Sequence, residues 1–302
     1  MDYFIGLDGG GTKTKCVLTN NELKIIASQT GGATNPLTTG FDESAKVLVY
    51  LIKQVYKKIK SRSRVYICAG IAGCGRKSHA NKLKNILKIR LRNSGIVFQN
   101  LEIVGDAETA IEGALCGKPG ALLIAGTGSI LVGKDIYGNF HIIGGYGKLI
   151  GDEGGGYSIG RKGLNAVSKY YDDRGKESLL VKYLTEKFRI NNRDELIAKV
   201  YSKSFSVSDV TPLVLLAAKN NDRICREILD GEINELVLHV KAMKQYFPSN
   251  NILISFAGSL LINKNYFSTE LRRRLVQNTK IVKAKYPPEI GAVIIAKKML
   301  NI

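Results

Sequence analysis

The sequence predicts an α/β protein built from two duplicated halves. Two glycine-rich turns carry this prediction, since Asp8-Gly9-Gly10-Gly11-Thr12-Lys13-Thr14 and Gly126-Thr127-Gly128-Ser129 each lie between two apolar runs. Each pattern is typical of a strand, a tight turn and a returning strand. The order of elements after the first turn is repeated with variation after the second. A length of 302 residues allows about two domains.

In the first half, short apolar runs bounded by Gly and Asn predict strands, and apolar stripes at helical spacing predict helices. Leu48, Leu51, Ile52, Val55 and Ile59 form one such stripe, and Leu83, Ile86, Leu87 and Leu91 form a second. The predicted order is β-β-β-α-β-α-β-α. We expect strands at 3–7, 14–19, 23–28, 64–69 and 101–105, and helices near 41–60, 76–92 and 107–116.

The second half opens with another three-stranded meander and closes with a helix that begins at Pro287-Pro288, a favoured residue type for a helix start. We expect an N-terminal domain over 1–117, completed by the closing helix 287–302, and a C-terminal domain over 118–286, with the ligand cleft between them. The predicted strands are 121–125, 129–134, 139–143, 251–257 and 279–283, with helices through most of 157–247.

Composition narrows the function classes. The net charge of +19 comes from Lys and Arg that fit the outer faces of amphipathic helices, so we expect no specific nucleic-acid binding. No run approaches the ~20 apolar residues of a membrane span, and the start carries no basic, cleavable leader, so neither a membrane anchor nor a signal peptide is expected. Five scattered cysteines without metal-ligand spacing favour a reducing cytoplasm.

The first turn has the composition of a phosphate-binding loop. The amides of Gly10 and Gly11 and the side chains of Thr12 and Lys13 can contact a nucleotide's phosphates, because glycine lets an anion approach closely. Asp8 beside the turn is a natural ligand for Mg²⁺, usually through water. An Asx-turn that opens an ordinary hairpin is the alternative interpretation.

The second turn repeats this arrangement with Thr127, Gly128 and Ser129, whose hydroxyls and amides suit the far side of the phosphates. A plain hairpin that requires positive φ is the alternative. Gly258-Ser259 follows a predicted strand and opens a helix, so its amides could also face a nucleotide.

Two further features suit an acceptor hydroxyl. Asp106 ends a predicted buried strand, and it is either a general base for in-line phosphoryl transfer or an ordinary helix N-cap. The segment 144–156 holds seven glycines, which predicts a loop whose backbone approaches a ligand, or else a flexible surface loop. Within it, Tyr146 offers a stacking face and Asp152 a hydroxyl acceptor for a sugar.

Together these motifs resemble the superfamily of actin-like ATPases, heat-shock chaperones and sugar kinases, and within it the BadF/BadG/BcrA/BcrD-type ATPase and N-acetylglucosamine kinase family. The resemblance implies two ribonuclease H-like (actin-like ATPase) domains and Mg²⁺-dependent transfer of the γ-phosphate of ATP to the 6-hydroxyl of an amino sugar. The matching stretches run the length of the chain: 6–14, 34–36, 104–107, 125–129, 144–147, 151–156, 257–259 and 288–292.

By position, the resemblance implies that Asp106 is the catalytic base and that Asp8 organises the metal. It also implies domain closure around the sugar and a homodimer. The nucleotide-contacting positions would be Thr12, Thr127, Ser129 and Ser259, and the sugar-contacting positions Asn35, Gly145, Tyr146 and Asp152, with Pro36 adjacent.

Two departures from the family pattern, Ile130 in place of a polar residue and Tyr146 in place of Trp, leave the acceptor open among N-acetylglucosamine, N-acetylmuramic acid, glucosamine and glucose. The adenine-contacting residues near 206–220 stay unassigned. An activator ATPase of a 2-hydroxyacyl-CoA dehydratase is the alternative function, although no cysteine lies between Cys116 and Cys225 to hold its iron–sulfur cluster. A non-catalytic sugar sensor on the same fold is a further alternative.

Overall fold

A computed structural model describes residues 1–248, 251–276 and 279–301 of the chain. The strands are β1 (Asp2–Gly9), β2 (Thr14–Thr19), β3 (Ile25–Gly31), β4 (Arg64–Ile71), β5 (Asn100–Gly105), β6 (Gly120–Ala125), β7 (Ser129–Lys134), β8 (Phe140–Gly144), β9 (Ile252–Ala257) and β10 (Thr279–Val282). The α-helices are α1 (Pro36–Thr39), α2 (Phe41–Tyr56), α3 (Lys77–Asn93), α4 (Asp106–Leu115), α5 (Gly156–Tyr171), α6 (Leu179–Phe188), α7 (Arg193–Val200), α8 (Thr211–Lys219), α9 (Arg223–Lys244), α10 (Ser259–Ile262), α11 (Tyr266–Arg274) and α12 (Pro288–Lys298).

The chain divides into two compact units. Unit 1 contains residues 1–120 and 283–302, and unit 2 contains residues 121–282. Each unit holds one five-stranded sheet, in the order β3-β2-β1-β4-β5 in unit 1 and β10-β9-β6-β7-β8 in unit 2. The second order is the first read in the opposite direction, with β6 in the central place of β1. The two units therefore share one sheet topology.

In unit 1, a hairpin meander is joined to a parallel pair of strands. β1 pairs antiparallel with β2 and parallel with β4, and β5 pairs parallel with β4. Parallel neighbours need crossover connections, which α2 and α3 supply. Because the carboxyl ends of β1, β4 and β5 lie along one edge of the sheet, the segments that follow these strands are brought to that edge.

Helices cover both faces of the unit 1 sheet. On one face Ile5 and Leu7 pack with the predicted apolar stripes of α2 and α3. On the other face Phe4 packs against α12. Gly6 also faces α12, and a Cβ there would stand 2.2 Å from the carbonyl oxygen of Glu289. This close approach holds the first turn of α12 beside the end of β1.

Unit 2 has the same division of strands but a larger helical layer. β7 pairs antiparallel with β8, whereas β9 pairs parallel with both β6 and β10. Its core joins the sheet to helices α5 through α9 and to α11. The 22-residue helix α9 lies at the centre of this layer, with Leu229, Ile233 and Leu236 fully buried.

The predicted α/β fold with two halves of like strand order is confirmed. Sequence reasoning missed α1, whose four residues are too few for a periodic pattern. The closing helix ends at Lys298 and continues as a 3₁₀ turn through Asn301; Ile302, the last residue of its predicted range, lies outside the described residues. Among the residues with described positions, no helix has the length and apolar character to cross a membrane.

Candidate active site

The first glycine-rich turn, in unit 1, has unused hydrogen-bond donors and open space. The Gly10 N–H closes the turn by donating to the Lys13 carbonyl at 3.0 Å. Within the described chain, the amides of Gly11, Thr12 and Lys13 donate no hydrogen bond. A Cβ built on Gly11 would have no atom within 4 Å, and its φ is not positive. Neither crowding nor backbone conformation requires glycine at position 11. The free amides of Gly11, Thr12 and Lys13, which we call the phosphate cradle, therefore have space in front of them for an anion such as phosphate.

Asp8 lies at the end of β1 in a cluster of charged side chains. It is half-buried and pairs in register with Lys15 of β2, whose ammonium is 2.5 Å from the buried carboxylate of Glu289 on α12. The pKa of Asp8 is raised to about 6, mainly by burial and then by the negative charges of Glu289 and Asp106, whose effect exceeds the opposite effect of Lys13 and Lys15. Three carboxylates of unit 1 therefore lie close to the first turn.

This cluster fits a magnesium ion held largely by water. Among the described side chains, no group of three or more His, Cys, Asp or Glu is arranged to hold a metal ion by itself. Asp8 could supply one oxygen ligand, which agrees with the way Mg²⁺ keeps several waters and takes oxygens from substrate phosphates. Sequence reasoning missed Lys15 and Glu289. The hairpin register could have indicated Lys15, but nothing local indicates Glu289.

Asp106 begins α4, close to the loop that follows β4. The N-cap of this helix is Gly105 rather than Asp106, so the N-cap interpretation of Asp106 is wrong. The Asp106 carboxylate accepts a hydrogen bond from the Ala107 N–H at 3.0 Å. Although the residue is exposed, neighbouring protein removes part of its hydration, and this desolvation raises the pKa of its carboxyl. Its charge also contributes, after burial, to raising the pKa of the Cys74 thiol to about 11.

Asn35 and Pro36 lie at the start of α1 in the same unit. The Asn35 side-chain oxygen caps this helix by accepting from the Leu37 N–H at 3.0 Å, and Pro36 is its buried first residue. Asn35 also lies against the loop after β4, since a Cβ on Gly73 would be 2.4 Å from its side-chain oxygen. That loop includes Cys74, which the charge of Asp106 reaches. Unit 1 therefore brings Asn35, Asp106 and Asp8 into one region.

The second glycine-rich turn, in unit 2, has the same free donors and open space as the first. The Gly126 N–H donates to the Gly128 carbonyl at 2.9 Å, and the amides of Thr127 and Gly128 donate no hydrogen bond in the described part of the chain. A Cβ on Gly126 would have no atom within 4 Å, and neither glycine has positive φ. The alternative of a hairpin that requires positive φ is therefore wrong.

The two hydroxyls of this turn differ in their surroundings. Thr127 is exposed, whereas Ser129 is 4% exposed and donates to the Glu153 carbonyl at 2.5 Å. The Ser129 hydroxyl thus joins the turn to the segment 151–156. Thr127 is the hydroxyl that stands free for a ligand.

Asp152 connects the second turn to the glycine-rich segment after β8. It has a φ of 62°, a left-handed conformation that is costly for a residue other than glycine and is often found at functional sites. One oxygen accepts from the Gly147 N–H at 3.0 Å, and the other would be 2.3 Å from a Cβ on Gly128. Gly145 and Tyr146 precede this contact, and Tyr146 is 76% exposed. Unit 2 therefore brings Gly145, Tyr146 and Asp152 beside the second turn.

A pocket of about 510 Å³ opens beside the second turn. It lies within the size range of small-molecule sites. Gly258 is the N-cap of α10, and Ser259 is exposed at the pocket wall. Sequence reasoning pointed to Thr127, to Gly258-Ser259 and to the region 206–220, and it missed the wall contributed by Asn263 and Asn265. The lining residues are Gly126, Thr127, Gly156, Ser208, Asp209, Thr211, Pro212, Leu215, Ser259, Leu260, Asn263 and Asn265.

Comparison with known proteins identifies relatives over nearly the whole chain. The model of the BadF/BadG/BcrA/BcrD ATPase family matches residues 5–296. The chain is similar to an N-acetylmuramic acid/N-acetylglucosamine kinase of Clostridium acetobutylicum, with 32% identity over 98% of this chain and 99% of that protein. It is also similar to an N-acetyl-D-glucosamine kinase of Dictyostelium discoideum, with 28% identity over 98% of each chain.

Among solved structures, a Chromobacterium violaceum protein proposed to be an N-acetylglucosamine kinase has a TM-score of 0.71. Its sequence identity is 22%, and the match covers 97% of this chain and 98% of that one. At this identity the likeness shows a shared fold.

Proposed function

Because the chain belongs to the BadF/BadG/BcrA/BcrD ATPase family, we propose that it is an ATP-dependent amino-sugar kinase that phosphorylates the 6-hydroxyl of N-acetylglucosamine. The observation that carries this proposal lies within unit 1. There Asp106 follows β5 at the same edge of the parallel strands at which Asp8 ends β1, and Asp8 adjoins a turn with free amides. A base beside a phosphate-binding turn is what phosphoryl transfer to a hydroxyl requires.

Each glycine-rich turn is proposed to bind phosphate oxygens. Gly11, Thr12 and Lys13 would donate from the first turn, and Thr127 and Gly128 from the second. These amides need no rearrangement to donate, which favours stabilisation of charge that develops in the transition state. The pocket beside the second turn, which includes Ser259, has room for the nucleoside part of ATP.

Asp8 is proposed to hold Mg²⁺, with the remaining ligands from water and phosphate. When bound, the ion would neutralise charge on the phosphates during transfer. Lys15 and Glu289, which form an ion pair with each other, would tune the charge of Asp8, since Glu289 raises its pKa and Lys15 lowers it.

Asp106 is proposed to accept the proton of the acceptor hydroxyl. As that oxygen forms a bond to the γ-phosphorus, the bond from the γ-phosphorus to the bridging oxygen of ADP breaks. The proton passes to Asp106 and then to solvent. Desolvation raises the pKa of Asp106, which makes its carboxylate a stronger base than a fully hydrated one.

Asn35 in unit 1 is proposed as a sugar-contacting residue, and within unit 2 Gly145, Tyr146 and Asp152 are proposed for the same role. The Asn35 side-chain NH₂ has no partner among the described residues, so it can donate to a sugar oxygen. Tyr146 offers an exposed ring for stacking on the apolar face of a hexose. N-Acetylmuramic acid is proposed as a second acceptor, and glucosamine and glucose as the competing ones.

The two units are proposed to be the two duplicated domains of this enzyme, with the closing helix α12 belonging to the first. A homodimer in the cytoplasm is proposed as its working form. Five free cysteines and the use of ATP as co-substrate agree with that compartment.

A coupled ADP-release assay with ATP and Mg²⁺ tests the proposal. Turnover that depends on N-acetylglucosamine or N-acetylmuramic acid is expected, with glucosamine, glucose and no sugar as comparisons. If the rate of ADP release does not change with any sugar, the proposed kinase function is overturned and an ATPase activator is favoured.

A further inference from the structure

Glu232, on helix α9 of unit 2, is a fully buried carboxylate with three donors around it. Its side chain is 0% exposed. One oxygen accepts from the hydroxyl of Ser158 at 2.7 Å and lies 2.8 Å from the ammonium of Lys162. The other accepts a short hydrogen bond from the backbone N–H of Gly154. Two of the three donors lie on α5, and the third lies in the glycine-rich segment just before it.

Stability alone is a weak reason for such a residue. Moving a carboxylate out of water is expensive, and a well-packed apolar side chain is often at least as stabilising. A carboxylate is, however, the only common side chain of this size that can accept from all three donors at once. A glutamine would direct an NH₂ group towards one of them. The arrangement therefore favours a role in fixing geometry.

The geometry that Glu232 fixes is that of the segment 151–156. At Gly154 the backbone has a φ of +80°, and a Cβ there would be 2.4 Å from Leu236, one turn further along α9. The segment is thus pressed against α9 at the point where Glu232 holds it. Asp152 lies two residues earlier in the same segment.

The same segment is hydrogen-bonded to the second glycine-rich turn. The Gly156 N–H donates to the Gly126 carbonyl at 2.7 Å, and the Tyr157 N–H donates to the Thr127 carbonyl at 2.8 Å. The hydroxyl of Ser129 adds a third bond, to the backbone of the segment. A shift of the segment would therefore move the turn with it.

We propose that Glu232 is a positioning residue that holds Asp152 and the turn 126–129 in one rigid arrangement, so that it controls use of both the sugar and the nucleotide. This inference rests on the proposed function, which assigns the sugar to Asp152 and the nucleotide to the turn 126–129. The hydrogen bonds between the segment and the turn join the two.

Glu232→Gln tests the proposal. We expect kcat/KM to fall by about 10- to 100-fold for both ATP and N-acetylglucosamine, because small displacements of positioned groups have effects of this size. The Kd for Mg²⁺-ADP should rise, and peptides that cover 150–158 should exchange their amide hydrogens faster. A purely structural role would lower Tm without these changes.

Asp222→Asn is the matched control. Asp222 is also a buried carboxylate, at the N-cap of α9, where it accepts from the N–H groups of Leu179 and Cys225 at 2.7 and 2.8 Å. No hydrogen bond or ion pair joins Asp222 to the segment 151–156 in the described part of the chain. This variant should lose stability yet keep the wild-type kcat/KM, nucleotide affinity and exchange over 150–158.

Ser158→Ala decides the matter if Glu232→Gln does not fold. It removes one donor and leaves the Gly154 bond in place, so kinetic and exchange effects in the same direction but smaller are expected. The proposal would be overturned if a folded Glu232→Gln kept the wild-type kcat/KM and amide hydrogen exchange over 150–158. If Glu232→Gln does not fold, the same result in Ser158→Ala would overturn it. If the wild type turns over no sugar, the proposed function fails, but nucleotide affinity and hydrogen exchange still test Glu232.

Discussion

Gly126→Ala separates the needs of the fold from the needs of a bound phosphate. The added methyl would meet no protein atom within 4 Å, and the residue does not have positive φ. The variant should therefore be as stable as the wild type or more so, by about 0.4–1 kcal/mol, because alanine reduces the entropy of the unfolded chain. For a unit of this size that corresponds to a rise in Tm of roughly 1–4 °C.

The same methyl would occupy the space through which a phosphate oxygen reaches the turn. Loss of one hydrogen bond to a charged group costs about 1.5–3 kcal/mol, which raises the Kd for Mg²⁺-ADP roughly 10- to 150-fold. Calorimetric titration with Mg²⁺-ADP and a thermal melt of the same sample measure the two effects.

Gly231→Ala is the matched control for this experiment. Gly231 also has open space around its Cβ position, but it lies within α9 and away from the turn. Alanine there should raise stability by up to about 1 kcal/mol through helix propensity and leave nucleotide affinity unchanged. An unchanged Kd for Mg²⁺-ADP in Gly126→Ala would refute phosphate binding by the second turn. A lowered Tm would refute the conclusion that the Cβ position of residue 126 is unoccupied.

Three further predictions concern the acceptor side and the charge cluster. Asp106→Asn should keep nucleotide affinity but lose about 10²–10⁴-fold in kcat, measured by ADP release; unchanged turnover would remove Asp106 from its role. In EDTA, Asp8→Asn should raise Tm at pH 7.5, because a folded-state pKa of about 6 makes ionisation of Asp8 unfavourable in the folded protein. The rise in Tm should vanish below about pH 4, where Asp8 is protonated in both the folded and the unfolded protein. A rise in Tm that does not depend on pH would contradict this explanation. Tyr146→Ala should leave Tm unchanged, since the ring is 76% exposed, and raise KM for the sugar about 2- to 10-fold; an unchanged KM would exclude stacking.

Most of the fold could be predicted because its signals are local. Apolar runs bounded by Gly and Asn located β1, β2 and β3, and a second set located β6, β7 and β8. Apolar stripes located α2 and α3, whose buried Leu, Ile and Val residues all belong to the predicted stripes, although Ile59 of the first stripe lies beyond the end of α2. Such periodicity depends on residues a few positions apart, so it can be read without knowing how the chain folds back.

Part of the candidate site could be predicted for the same reason. The free amides of both glycine-rich turns and the exposed hydroxyl of Thr127 follow from short motifs. The motif around Ser129 did not reveal that its hydroxyl donates to Glu153, because that partner comes from a segment 24 residues later. A short motif shows which residue type is present, but it does not show which distant group forms a hydrogen bond with that side chain.

The sequence by itself determined the alternation of strands and helices, the duplication and the two turns, because these depend on steric and hydrophobic preferences of neighbouring residues. Only the tertiary structure decided that Glu289 lies beside Asp8, that residues 208–215 and 263–265 form one pocket wall, and that Glu232 holds the segment before α5. These groups come from segments far apart in the chain. Their contacts are set by the packing of helices on the sheets, which no local pattern encodes.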